Sequence, residues 1–365
     1  MLPSPLLVPG RTVTGPGVLR QLADETAVFG KRGVIAHGSA FEGVCRDEVL
    51  KAFPASAIIT TYRCRSGEPT LEDVESLRAY LQEQRPDWVA GIGGGSVLDL
   101  AKAAGGLLHA PDTVAAYQQG APIPPATLPF IAAPTTAGTG SEATVVSVLT
   151  DPARQLKQSI RHPSFMPRVV LLDPTLLYSC PKPTVAAAGM DALTQAYESW
   201  VSRYATPFTR DLSARAFKAI IRSLPAFFGG DNEAAGDLLA GSYLAGLSLS
   251  HARLGVVHGL AHPLGVRLNA PHGLVCAFCL PAALRFNAGI TAGLMPAINQ
   301  AADGDFARWV DEALVNFKMV SPFKGARLTD REAIIAETLK SGSTRANPRD
   351  VTAGDVENLL NTILE

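Results

Sequence analysis
Short apolar, β-branched runs alternate with amphipathic stretches through the first half of the chain. Residues 32–36 (RGVIA), 57–61 (AIITT), 87–92 (DWVAGI), 129–133 (PFIAA) and 169–172 (VVLL) predict strands. Leu71, Val74, Leu77 and Leu81 recur at helical spacing over 71–85, and a further helix is predicted from Ser96 onward. This βαβα order implies a parallel sheet covered on both faces. Near Cys180 the strand signals stop. Helical patterns follow at 185–203, 206–222, 233–254, 273–287, 306–316, 330–340 and 353–364. Breaker clusters such as SLPAFFGGDN and SPFKGARL separate them. The expected organisation is an α/β domain over 1–180 and an all-helical domain over 181–365, with the boundary near 178–183. No fixed-period repeat or low-complexity segment interrupts it.

With 365 residues, 47% hydrophobic and 18% charged, the chain has material for two buried cores. A net charge of −1 argues against a nucleic-acid partner. No uninterrupted apolar run reaches the roughly 18 residues of a membrane-spanning helix. The start, MLPSPLLVPG, lacks the basic and apolar regions of a secretory signal. Neither a membrane partner nor export is therefore expected. The cysteines (Cys45, Cys64, Cys180, Cys276 and Cys279) are odd in number and scattered, which points to reduced thiols in a cytoplasm. Cys276 and Cys279 form one CxxC within the apolar LVCAFCLP. It reads as buried helix packing rather than redox or metal chemistry.

Candidate chemistry lies in two places. Gly93, Gly94, Gly95 and Ser96 follow a strand and open a helix that carries Asp99 and Lys102. Glycine lets backbone approach a phosphate, and a helix N-terminus offers N–H donors and partial positive charge. The spacing is not GxGxxG, so the ordinary dinucleotide fingerprint does not apply. A second loop, PTTAGTGSEAT, follows the strand ending at Ala133 and supplies the hydroxyls of Thr135, Thr136 and Thr139. Two such loops at the carboxyl ends of neighbouring strands would converge on one anionic cofactor.

The second place is downstream. Four of the seven histidines, His251, His258, His262 and His272, fall close together after Asp191. A carboxylate and two imidazoles, Asp191, His258 and His272, suit zinc or ferrous iron with positions left for water or substrate. His258 and His262 share a helix face, and His262 is placed to shuttle a proton to or from an alcohol oxygen. His251 reads either as a partner of a ligand or as a capping or surface residue.

GIGGGSVLDLAKA, PTTAGTGSEAT, GMDALTQAYESWVS, GVVHGLAHPLG and PHGLV, in that order, resemble the iron-containing (group III) alcohol dehydrogenase family. TGPGVL near the start and ANPRDVT near the end fit as well. The resemblance implies a dehydroquinate synthase-like fold: an α/β dinucleotide-binding domain, then an all-α metal domain, with the active site in the cleft between them. It makes Asp191, His258 and His272 metal ligands. It places Gly94, Gly95, Ser96, Thr135 and Thr139 at the pyrophosphate of NAD(P), Lys157 at the ribose, and His262 near the substrate. Gly38 and Ser39, after the strand at 32–36, fall at the adenosine end. The strand near residues 1–14 (LLVPGRTVTG) could pair across a homodimer, as in related proteins.

Two departures from the family pattern follow. The usual fourth ligand is a histidine one turn after the aspartate, and here it is Gln195. An amide oxygen is a poorer donor to a transition metal, which shifts the expected metal from iron toward zinc or toward weak, exchangeable binding. Where NAD-selective members carry an acid, this chain has His37-Gly38-Ser39, so NADPH is expected to serve at least as well as NADH. The implied activity is reversible oxidation of a small alcohol to an aldehyde or ketone, with hydride transfer at a substrate oxygen bound by the metal. Three rivals are a maleylacetate-reductase-like oxo-acid reductase, a sugar-phosphate cyclase with Arg253 and Arg267 as phosphate holders, and a nucleotide-binding pseudoenzyme with a weakened metal site. Trp200, Phe278 and Arg267 are candidates to shape the substrate pocket.

Overall fold
The apolar runs of the first half become one six-stranded, all-parallel sheet in the order β1-β8-β5-β4-β2-β3. The computed structural model describes residues 2–364. Its strands are β1 (Arg11–Thr14), β2 (Arg32–His37), β3 (Ile58–Arg63), β4 (Trp88–Gly93), β5 (Phe130–Pro134) and β8 (Val169–Leu172). β6 (Val146–Asp151) and β7 (Leu156–Arg161) form a separate antiparallel hairpin that the sequence reading did not anticipate. Helices α1 (Leu22–Thr26), α2 (Ser39–Val44), α3 (Arg46–Lys51), α4 (Leu71–Gln84), α5 (Gly95–Gly106) and α6 (Val114–Gln118) complete this unit, which spans residues 7–180. β1 pairs with β8 of its own sheet, Arg11 opposite Val169, and forms the sheet edge.

Every residue of β4 is buried, as continuous apolar runs in a covered parallel sheet require. Its Trp88 lies opposite Gly33 of β2, where a Cβ would meet the indole at 2.0 Å; glycine there is what lets the ring pack flat on the neighbouring strand. α4 begins with a capping box, the Thr70 side chain accepting from Asp73 N–H and the Asp73 side chain from Thr70 N–H. The strand order reverses between β2 and β4. From β2 the chain goes outward to β3, whereas from β4 it proceeds the other way to β5. Ligands bind parallel sheets at the carboxyl edge of such a switch point.

The second unit spans residues 181–364 with residues 2–6. Its helices are α7 (Lys182–Val201), α8 (Pro207–Gly229), α9 (Ala234–Ala252), α10 (Val256–Leu268), α11 (His272–Thr291), α12 (Met295–Ala302), α13 (Phe306–Asn316), α14 (Arg331–Lys340) and α15 (Ala353–Leu364). α7 is the central helix: every residue from Gly189 to Ser202 is buried. α8 runs seven residues beyond the expected end at Arg222, through Pro225 to Gly229. Pro225 faces solvent while Leu224 and Phe227 are buried, so packing outweighs the lost backbone bond. α11 is long and apolar enough to span a membrane by length and composition. Half of its most apolar stretch is buried within the protein, and His272 and Arg285 interrupt the apolar run.

Candidate metal centre and cofactor loops
Asp191, His258, His272 and Cys276 come together in the helical unit, with one donor atom of each within 4.8 Å of all the others. Asp191 Oδ1 lies 3.2 Å from His258 Nε2 and 3.8 Å from His272 Nε2, and Cys276 Sγ lies 3.6 Å from His272 Nε2. Three helices supply these groups: Asp191 from α7, His258 from α10, and His272 with Cys276 from the first turns of α11. Gly273 sets the approach of α11 to α7. A Cβ there would sit 2.2 Å from the Ala187 carbonyl oxygen and 3.2 Å from Asp191 Cβ. No larger residue would let His272 stand beside Asp191.

A buried carboxylate needs a cationic or donor partner. Asp191 is 2% exposed, and burial alone would raise its pKa. The hydrogen bond from His258 and the charges of His272 and His258 reverse this and hold it below the usual range. Burial likewise opposes charge on His258, but Cys276, Asp191 and Glu198 together push its pKa well above normal. Burial pushes the Cys276 thiol up to about 12. The pocket thus favours a cation among its donors.

Glu198, which the sequence reading missed, fixes His258. Its Oε2 lies 2.6 Å from His258 Nδ1, and its Oε1 accepts from Val257 N–H at 2.7 Å. Gly255 leaves room for this carboxylate, since a Cβ there would lie 2.6 Å from Glu198 Oε1. With Nδ1–H donated to Glu198, the other ring nitrogen faces the cluster: Nε2–H donates to Asp191 Oδ1, and loss of that proton would leave a lone pair aimed at the donor group, the orientation a ligating histidine needs. Spacing held the signal, because Asp191 and Glu198 lie two turns apart on one face of α7.

Gln195 lies one turn from Asp191 and is also buried. Its Nε2 donates to Asp191 Oδ2 at 3.1 Å, which turns Oδ1 toward the histidines, while its own Oε1 is buried without a hydrogen-bond donor. His262 follows His258 by one turn, its ring 5.2 Å from that of His272. His251 on α9 bonds through Nδ1 to the Leu247 carbonyl and stands outside the donor group. Arg267 binds Asp330 and Glu337, and Arg253 covers the Tyr204 ring at 4.7 Å. Trp200 is core, edge-on to Phe217.

In the α/β unit the two small-residue loops do meet. Thr135 N–H donates to Gly93 O at 3.0 Å. A Cβ at Gly95 would lie 2.5 Å from Thr139 Cγ2, and one at Gly93 would lie 2.5 Å from Val97 Cβ. Two of these glycines therefore exist to let the loops and helix pack. Gly94 is roomier, 3.3 Å from Thr136 Oγ1, and with Gly95 and Ser96 it remains partly exposed at the start of α5. Gly38 joins them across the switch point, its N–H donating to Ile92 O at 3.0 Å. Behind the loops, buried Lys102 donates to Ser141 O, Ser141 Oγ, Thr144 Oγ1 and Val146 O, and Asp99 accepts from Ser141 Oγ and Val148 N–H. This pair, singled out near the glycines, ties α5 to the second loop. Lys157 on β7 pairs with Glu68 at 2.8 Å. A cavity of about 500 Å³ opens at the ends of β2 and β3, lined by His37, Glu42, Arg46, Asp47, Thr61 and Arg63. Ser39 is exposed at the start of α2.

Comparison with known proteins agrees with this arrangement. The family profile for iron-containing alcohol dehydrogenase matches residues 9–174, and that for the C-terminal part of the Fe-containing alcohol dehydrogenase family matches 185–364. The chain is 34% identical to a probable alcohol dehydrogenase, EutG, of Salmonella typhimurium over 96% of this chain and 92% of that one. It is 32% identical to lactaldehyde reductase of Escherichia coli over 94% and 99%. The crystal structure of sulfoacetaldehyde reductase from Bifidobacterium kashiwanohense in complex with NAD+ superposes with a TM-score of 0.90 at 26% identity, covering 100% of this chain and 99% of that one. The chain belongs to the iron-containing alcohol dehydrogenase family of metal-dependent oxidoreductases.

Proposed function
We propose that this chain interconverts a small alcohol and its aldehyde or ketone with NAD(P), using a divalent metal, zinc or iron, held by Asp191, His258 and His272. The convergence of those three donors on one point inside the helical unit carries the reading. Small substrates are favoured by the relatives named lactaldehyde reductase and 1-propanol dehydrogenase.

A metal bound there would supply Lewis acidity that lowers the pKa of the alcohol oxygen. Glu198 keeps the His258 ring oriented, and Gln195 holds the second oxygen of Asp191. His262 exchanges the alcohol proton with solvent. Gly94, Gly95, Ser96, Thr135, Thr136 and Thr139 hold the pyrophosphate, and Gly38 and Ser39 border the adenosine. Lys157 meets the ribose from the side that Glu68 anchors. No carboxylate ends β2, and Arg46 and Arg63 line the adjoining cavity along with Glu42 and Asp47, so NADPH serves at least as well as NADH. The enzyme works as a cytoplasmic homodimer.

The test is turnover of a panel of short alcohols, aldehydes and ketones with Zn²⁺, Fe²⁺ or chelator, followed through the absorbance of the reduced nicotinamide. Metal-dependent turnover with a kcat/KM for NADPH at or above that for NADH is expected. No turnover across the panel would overturn the activity, and a strong NADH preference would overturn the cofactor assignment. Sedimentation velocity checks the dimer.

A further inference from the structure
Cys276 stands one turn after His272 on α11 and is fully buried, yet its sulfur does not face an apolar neighbourhood. It lies 3.6 Å from His272 Nε2 and within 4.8 Å of the donor atoms of Asp191 and His258. We propose that Cys276 Sγ is the fourth protein ligand of the metal, filling as a thiolate the position that Gln195 leaves without an imidazole, and that it makes this a zinc site. This rests on the reading that Asp191, His258 and His272 hold a metal.

Distances carry the argument. Around a tetrahedral zinc with bonds of about 2.0 Å to nitrogen or oxygen and about 2.3 Å to sulfur, adjacent N and O donors sit about 3.3 Å apart, and N and S about 3.5 Å apart. The protein shows 3.2 and 3.8 Å for the two histidine–aspartate edges and 3.6 Å for the histidine–cysteine edge. Three of the six edges thus have the lengths of one coordination polyhedron, and the remaining pairs lie within 4.8 Å. Gln195 is turned so that its amide N–H₂, not its oxygen, meets Asp191 Oδ2, and it supports the carboxylate from outside the polyhedron. Cys279 is an internal control: it lies on the same helix with the same burial, but outside the donor group.

Metal binding moves the thiol proton to solvent and leaves a soft anionic ligand, which suits zinc better than ferrous iron. Zinc accepts a fifth ligand, so four protein donors still leave room for a substrate oxygen.

X-ray absorption on the zinc-loaded wild-type protein tests the proposal without a variant. One sulfur scatterer at about 2.3 Å is expected. In parallel, cobalt-loaded wild type and Cys279→Ser should show the near-ultraviolet thiolate-to-cobalt charge-transfer band, and Cys276→Ser should lack it and bind zinc at least about tenfold more weakly. One metal per chain with only nitrogen and oxygen scatterers, or a Cys276→Ser spectrum equal to wild type, overturns the thiolate ligand while the Asp191–His258–His272 site stands. A wild-type protein that binds no more metal than Asp191→Asn overturns the site itself.

Discussion

Glu198→Gln isolates what the carboxylate behind His258 contributes. Both oxygens of Glu198 are occupied in the core, one by His258 Nδ1 at 2.6 Å and the other by Val257 N–H at 2.7 Å. Both side chains of the pair are 3% exposed. An amide has the same shape but only one accepting end. Whichever way it turns, its N–H₂ faces either the Val257 N–H or the His258 ring nitrogen. Facing Val257 leaves two buried donors opposed, at about 1–3 kcal/mol. Facing His258 forces the proton onto Nε2, the atom that must present its lone pair to the metal. Loss of such an orienting partner weakens metal affinity about 10–100-fold, or about 1.4–2.7 kcal/mol. At a fixed zinc concentration above both dissociation constants, the metal's contribution to unfolding free energy should shrink by that same amount. Competition against a chromophoric chelator gives the first quantity, and urea unfolding with and without zinc gives the second. Zinc affinity within twofold of wild type, with unchanged metal-dependent stabilisation, would refute this role for Glu198.

Other consequences follow from single contacts. Gly273→Ala puts a carbon 2.2 Å from the Ala187 carbonyl oxygen, so α11 must move off α7; we expect a loss of about 1–3 kcal/mol and of most metal binding, read by thermal unfolding and metal analysis. His262→Ala should keep its metal and lose about 10²-fold in kcat, with the pH dependence of kcat altered. Burial raises the Glu142 carboxyl from 4.5 to about 7, so the folded protein holds a proton there that the unfolded chain has released. Its contribution is present below about pH 4.5 and is lost as pH rises through about 7, an effect of at most about 3 kcal/mol. Urea midpoints of Glu142→Gln should therefore depend less on pH between 4.5 and 7 than those of wild type; parallel profiles would contradict the shift.

The fold was legible where burial imposes a pattern. β2, β4, β5 and β8 are apolar runs because both sheet faces are covered, and α4, α13 and α15 carry amphipathic stripes that mark their limits. The β6–β7 hairpin escaped because VSVLTD and LKQSIR are too polar and too mixed to separate from loop. α12 is only eight residues long, too short for its apolar positions to show a helical period. At the site, residue type and order singled out Asp191, His258 and His272, whose donor atoms the fold brings together. Glu198 was hidden because a buried glutamate on a helix looks like any surface glutamate until its neighbours are known. Cys276 was read from its apolar flanks as packing. The burial holds, but the same flanks argued against metal chemistry, whereas the one-turn spacing from His272 sets the sulfur among the donor atoms. The glycines of GIGGGS were assigned to phosphate approach, whereas Gly93 and Gly95 are demanded first by Val97 and Thr139.

Metal content measured alongside turnover, in wild type and in His258→Ala, bears most directly on the centre. Wild type should hold one zinc or iron per chain and lose activity in proportion when the metal is stripped, and His258→Ala should lose both together. Full turnover by metal-free His258→Ala would contradict it.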